Sequence, residues 1–195
     1  MRTVGGDGGN FTKATMEIRE FVARPDIILR EVPAPARLSP HSFALTAEPA
    51  DPDSDAFSGR FVLLHDPDGV DEWNGTFRVV VFIRADLESE LLHDDLLRAV
   101  AWSWVTEATS GLSILELGGT VTTNFGESFG SLHDRPSDGF VEVRASWTPV
   151  ESAATFPVDS LSLHEQSWIT CIEMAAGLTP LSDGVVPVLS ARRRG

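Results

Sequence analysis

The chain has 195 residues, 42% hydrophobic and 23% charged, which is ordinary usage for one domain that can bury its own core. Fifteen basic against 29 acidic residues leave a net charge of −14. That field repels phosphate backbones and anionic lipid, so it argues against general nucleic-acid or membrane-surface binding. A single cysteine, Cys171, excludes an intrachain disulfide and a zinc site with paired cysteines.

Residues 1–10 are glycine-rich and lack the apolar stretch of a signal peptide, and no apolar run reaches membrane-spanning length. They read as a flexible leader, and a cytoplasmic location is expected. One domain is expected over residues 11–188, and residues 189–195, with Arg192 to Arg194, as a disordered basic tail. The spacing of Phe11, Thr15, Ile18 and Val22 predicts a first helix from Phe11 to Arg24, stopped by Pro25. Ile27 to Val32 reads as a short strand, and Pro33, Pro35 and Pro40 as an extended connection. Phe43 to Ala47 and Arg60 to His65 are strand-like. Gly75 to Arg84 is the clearest strand, with Phe77, Val79, Val81 and Ile83 on one face and Thr76, Arg78, Val80, Phe82 and Arg84 on the other. The link from His65 to Asn74 is too long for a tight hairpin turn.

A central helix is expected to start between Leu87 and Asp95 and to end at Gly111. Leu97, Ala101, Trp104, Val105 and Ala108 form one stripe, and Leu92, Leu96 and Val100 lie opposite, so the helix is apolar on two faces. Ser113 to Asn124 reads as a strand with Leu115, Leu117 and Val121 on one face. Phe140 to Thr148 is another, with Val141, Val143, Ala145 and Trp147 inward and Glu142 and Arg144 outward. Ser162 followed by Glu165 matches a capping box for a last helix carrying Trp168, Ile172 and Ala175 and ended by Gly177 and Pro180. Strands come in runs and do not alternate with helices. The pattern predicts an α+β fold, an antiparallel sheet with helices packed on one face, in the order α-β(3–4)-α-β-β-α.

Gly126-Glu127-Ser128-Phe129-Gly130 matches the G-x-S-x-G of a nucleophile elbow, with Asp138, Asp159 and His164 coming later in hydrolase order. That chemistry needs a sharp strand-to-helix turn, and Ser131 to Gly139 reads as loop. Asp51 to Asp55 resembles the start of a calcium loop but has Ala56 and Val62 where Gly and Glu belong. Asp66-Pro67-Asp68-Gly69, with Asp71 and Glu72, reads as a second acidic turn, and magnesium binding there is the alternative to a plain turn. The five histidines show no metal-ligand spacing, so no metal and no cofactor is expected. Cys171 reads as a small buried hydrophobe. Trp102 falls at the edge of the central helix's stripe, where burial is the plainer expectation and an interface anchor the alternative.

The sharpest constellation is on the sheet. Arg78 and Arg84 share a face of one strand, and Arg144 and Glu142 share the face of another away from Trp147. If the faces coincide, an acidic chain carries a local cluster of guanidinium groups suited to carboxylate or phosphate. Pairing of these arginines with Glu116 and Glu142 is the plainer alternative.

The runs Trp73 to Arg78, Arg84 to Glu88, Ala101 to Trp104, Gly119 to Thr122, Glu127 to Gly130 and Arg144 to Pro149 together resemble an actinobacterial family, the domain-of-unknown-function family numbered three thousand. Glu31 to Pro35, Ala176 to Leu178 and Gly184 to Pro187 fit it too. The resemblance implies an actinobacterial cytosolic source and carries over no catalytic residue. The element order is also similar to small acidic secretion-chaperone-like folds, which are dimeric adaptors, and fold does not set function. The residues support three functional expectations. The first is a non-enzymatic adaptor or regulatory module with a protein partner or a second copy as a homodimer, meeting it through Leu92, Leu96, Val100 and Trp102. The second is a small-anion-binding enzyme or sensor using Arg78, Arg84, Glu142 and Arg144. The third is a serine hydrolase at Ser128.

Overall fold

Strict alternation of apolar and polar residues from Gly75 onward builds the central strand of the protein. In a computed structural model, which describes residues 8–35, 37–134, 138–152 and 156–179, this strand is β4 (Gly75–Asp86). The other strands are β1 (Ile27–Val32), β2 (His41–Pro49), β3 (Phe57–Val70), β5 (Ile114–Gly126) and β6 (Asp138–Pro149). They form one antiparallel six-stranded sheet in the order β1-β2-β3-β4-β6-β5. The helices are α1 (Gly8–Arg19), α2 (Ser89–Leu92), α3 (Leu97–Ala108) and α4 (Leu161–Ala175).

All four helices lie on one face. A Cβ on Gly59 of β3 would meet Ile172 and Trp168 of α4, one on Gly119 of β5 would meet Trp102 of α3, and one on Gly139 of β6 would meet Leu92 of α2. Phe11 of α1 stacks on His41 and His65. The core therefore sits between the helices and the inward residues Phe61, Leu63, Phe77, Val79, Val81, Ile83, Val143 and Trp147, all fully buried. Burial at roughly 25 cal/mol per Å² of apolar surface makes this layer the main source of stability.

The α+β class and the antiparallel sheet stand as expected, but the element order differs. Four strands do precede the central helical stretch, within the expected three to four. The helical stretch after β4 is broken in two, because Asp94 Oδ1 accepts the N–H of Leu96 at 2.8 Å and so turns the chain between α2 and α3. A three-residue 3₁₀ turn, Gly130–Leu132, separates β5 from β6. The first helix begins at Gly8, inside the expected leader, and ends at Arg19, before Pro25. Asp66 to Gly69 is not a separate turn. β3 runs through it to Val70 with a register shift after His65, and the reversal falls at Asp71 to Asn74, where Asn74 has φ 55°. In β5 a register shift between Leu115 and Gly118, with Glu116 at φ 51°, breaks the alternation. Leu115 consequently turns out to solvent while Leu117 and Val121 pack on the core, so the expected shared face keeps two of its three residues. The expected tail at 189–195 lies outside the described residues.

The start of α4 is also built differently from the expected capping box. Ser160 occupies the N-cap, and Glu17 of α1 accepts from Ser160 Oγ and from the Leu161 N–H, both at 3.0 Å. A carboxylate from a distant helix thus satisfies a free N–H where the helix dipole favours negative charge. Glu165, released from that task, is fully buried.

Candidate functional site

The alternation that buries one face of the sheet exposes the other, and among the described residues no helix covers it. Across this outer face the strand register lays the residues in rows. Thr46, Arg60, Phe82, Arg144 and Thr120 stand side by side, and the next row holds Ser58, Arg84, Glu142 and Thr122. Arg30 pairs with Thr46 at the β1 end of the first row. The faces carrying Arg78, Arg84, Arg144 and Glu142 do coincide. Sequence reasoning missed Arg30 and Arg60, although Arg60 lies at the outward parity of β3, between inward Gly59 and Phe61.

Each arginine is engaged separately. Arg78 is half-buried and donates to Thr148 Oγ1 at 3.0 Å and Ser146 Oγ at 2.7 Å. Burial holds its guanidinium below the ordinary value, with the Glu116 carboxylate opposing that shift. Arg84 lies 3.8 Å from the Phe140 ring centroid and 3.6 Å from Asp86. Arg144 pairs with Glu142 at 2.7 Å and lies 5.7 Å from the Phe82 centroid. Arg30 pairs with Glu48, and Arg60 donates to the Pro33 carbonyl at 3.3 Å. Arg78 and Arg84 are six residues apart on one strand, or about 20 Å, so these groups spread over a surface and do not converge on a point. At one end of the face a cleft of ≈ 710 Å³ opens beneath the acidic loop after β2, lined by Arg30, Arg84, Ser58, Glu48, Asp51 and Asp86. At the other end Ala44, Val62 and Leu64 are covered by Val32, Ala34 and Trp73.

The four residues expected at a partner interface do not form one patch. Leu92 is buried on α2, and the Trp102 ring packs on the core beside Gly119. Leu96 and Val100 stay exposed, at 66% and 47%, on the side of α3 away from Leu97, Ala101 and Val105. At about 100° per residue, Trp102 points roughly 160° away from Val100.

Nor does the structure assemble the residues of the Ser128 hypothesis. The chain after Ser128 forms a single 3₁₀ turn, not a helix that aims N–H groups at an oxyanion. His164 is fully buried, and its Nδ1 accepts a hydrogen bond from Trp147 Nε1 at 3.0 Å. Asp159 accepts from the Ser113 N–H at 2.6 Å. Burial lowers the imidazole to about 4, against the raising influence of Asp159, so the ring is neutral and its proton sits on Nε2, which has no partner. Glu165 beside it is pushed up to about 8 by burial, with neither carboxyl oxygen hydrogen-bonded. Burial also pushes the Cys171 thiol up to about 12, as suits an inert core residue. Among the described residues no group of three or more His, Cys, Asp or Glu is placed to hold a metal ion. Asp51 and Asp66 instead accept from the N–H two residues on, at 3.0 and 3.1 Å, Asp51 in the loop after β2 and Asp66 at the register shift within β3. Among the described residues no helix is long and apolar enough to cross a membrane.

A family model described as a protein of unknown function, DUF3000, matches residues 8–186. The chain belongs to the DUF3000 family. The match spans α1 to α4 and every strand of the sheet, so the outer face lies wholly within the DUF3000 region. No curated protein and no solved structure matches the chain.

Proposed function

We propose that this DUF3000 protein is a non-enzymatic adaptor or regulatory module, cytoplasmic, that holds an acidic, extended polypeptide segment across the outer face of its sheet. The observation that supports this is the row in which Arg60 and Arg144 flank Phe82, on a face that no helix covers among the described residues, in a chain whose net charge is −14. Arginine and aromatic side chains are the groups that dominate protein interfaces. A local excess of guanidinium on an acidic molecule selects an acidic partner and rejects basic ones. The span of about 20 Å from Arg78 to Arg84 matches roughly six residues of extended chain. It is too wide for one small anion held bidentately. The exposed Arg30–Glu48 and Arg84–Asp86 pairs contribute about 0–1 kcal/mol each, so exchanging Glu48 or Asp86 for a partner's carboxylate costs little.

Selection of a random peptide library on the full-length protein tests the reading. Enriched peptides should be rich in Asp and Glu. Their affinity should fall at least about tenfold, or ~1.4 kcal/mol, when Arg60, Arg84 and Arg144 are replaced together by Ala. Neutral or basic winners, or affinity unchanged in the triple variant, would sink it. Stoichiometric binding of inorganic phosphate in place of peptides would move the assignment to a small-anion site.

A further inference from the structure

The two edges of the sheet are finished differently. β1 is six residues long, carries Arg30 and Glu31 tied into ion pairs with Glu48 and Arg19, and runs directly into Pro33. Brevity, charge and proline are the devices by which natural sheets prevent edge pairing. β5, at the other edge, is thirteen residues long. Its only charge is Glu116, set in the bulge, and from Leu117 to Gly126 it has neither charge nor proline. That stretch is rich in Thr and Val, which favour strands. β6 pairs with it continuously from Gly118 to Gly126, and among the described residues no strand lies on its other side. α3 lies over its inner side only, with Arg98 3.4 Å from Thr123 Oγ1 and Trp102 above Gly119.

We infer that β5 is a pairing edge and that its occupant is a second copy of this chain, added by antiparallel β5–β5 pairing about a two-fold axis. Charge decides for a second copy. Two molecules of net charge −14 repel over most of their surfaces, and a ten-residue stretch without charge is where identical copies approach without that cost. A foreign partner guided by charge would find nothing to read on the strand itself, and Arg98 of α3 reaches it only on the inner side at Thr123. Geometry agrees, because a strand paired antiparallel with its own copy meets the isologous condition that residue i faces j while j faces i. Outward Thr120 and Thr122 would then stand among threonines of the other copy, a favourable cross-strand pairing. The axis is normal to the sheet, so both outer faces end on the same side of one doubled sheet. This inference stands whether or not the outer face binds an acidic segment.

Sedimentation velocity over a micromolar concentration series, with hydrogen exchange on the same full-length samples, tests it. The wild-type chain should sediment as a dimer, with all amides from Gly118 to Gly126 protected, including those that point away from β6. Thr120→Lys with Thr122→Lys puts like charges across the new pairing, and should give a folded monomer in which only the outward amides become exchangeable. Leu96→Glu with Val100→Glu, on the far side of α3, should leave the dimer intact. A wild-type monomer at every concentration overturns the inference. So does a wild-type dimer whose outward β5 amides exchange freely, a result that needs no variant to fold, and so does a dimer that Leu96→Glu with Val100→Glu dissolves.

Discussion

The guanidinium carbon of Arg84 rests 3.8 Å from the centroid of Phe140, although the strand register sets Arg84 opposite Glu142 and Phe140 opposite Asp86. The contact is diagonal, and it covers an aromatic ring on a face that no helix protects among the described residues. A stacked cation of this exposed kind contributes about 0.5–1 kcal/mol. Arg84→Ala should therefore lower unfolding free energy by no more than about 1 kcal/mol in a urea titration. A larger loss would make Arg84 a structural residue and remove it from the binding face.

Glu165 and His164 set a pH window for stability. The folded-state value of Glu165, about 8, lies above its ordinary 4.5, so its burial costs nothing below about pH 4.5 and costs progressively more as pH rises toward 8. His164 works in the opposite sense. Its value of about 4 lies below the ordinary 6.5, so its cost is absent above pH 6.5 and grows as pH falls toward 4. The two slopes cancel between pH 4.5 and 6.5, and from pH 6.5 to 8 stability should fall by on the order of 2 kcal/mol. Glu165→Gln should abolish that fall. Denaturant titrations of both proteins across this range decide it, and a flat wild-type profile would show that the Glu165 carboxyl is not held neutral by the fold.

Trp147 and His164 are coupled by one buried hydrogen bond. Trp147→Phe leaves Nδ1 of His164 unpaired, at a cost of about 1–3 kcal/mol, and loses ring volume besides. His164→Leu strands the indole N–H in the same way. The double variant should be less destabilised than the sum of the two singles by roughly 1 kcal/mol or more. Additive losses would mean that the bond contributes nothing.

At Gly59 α4 packs closely against the sheet. A Cβ there would lie 2.6 Å from Ile172 Cδ1 and 2.9 Å from Trp168 Cζ2. The isoleucine tip can yield, but the indole, with Nε1 donating to the Phe82 carbonyl at 3.3 Å, is held. Gly59→Ala should cost about 1–3 kcal/mol, read as a lowered thermal midpoint. An unchanged midpoint would show that α4 has room to slide.

Ser128 should behave as an ordinary loop hydroxyl. With His164 buried against Trp147, no general base reaches it from that helix, and a fluorophosphonate probe should leave Ser128 unlabelled at neutral pH. Stoichiometric labelling lost in Ser128→Ala would reopen the hydrolase reading.

Local pattern was legible wherever one residue's environment depended on its own strand or helix. Ile27 to Val32 appears as β1 with the bounds its composition predicts. Phe77, Val79, Val81 and Ile83 point inward, as do Val141, Val143, Ala145 and Trp147, because period-two alternation is a property of one segment. The outward placement of Arg78, Arg84, Glu142 and Arg144 comes from the same parity. What chain order cannot carry is which strands become neighbours. Arg60 joins Phe82 and Arg144 only because β3 and β6 flank β4, and Arg30 reaches that row only through β2. The bulge at Glu116 and the Glu17 cap on α4 were equally out of reach. Ser162 and Glu165 matched a local motif, yet Glu17, 144 residues before Leu161, took the task and left Glu165 in the core. Hydrophobic periodicity acts within a segment, whereas pairing order and side-chain partners are set by contacts between segments far apart in the chain. Residue pattern thus decided the α+β class and the sidedness of β4 and β6, and packing decided that the arginines form a surface and that, among the described residues, no strand pairs with the outer edge of β5.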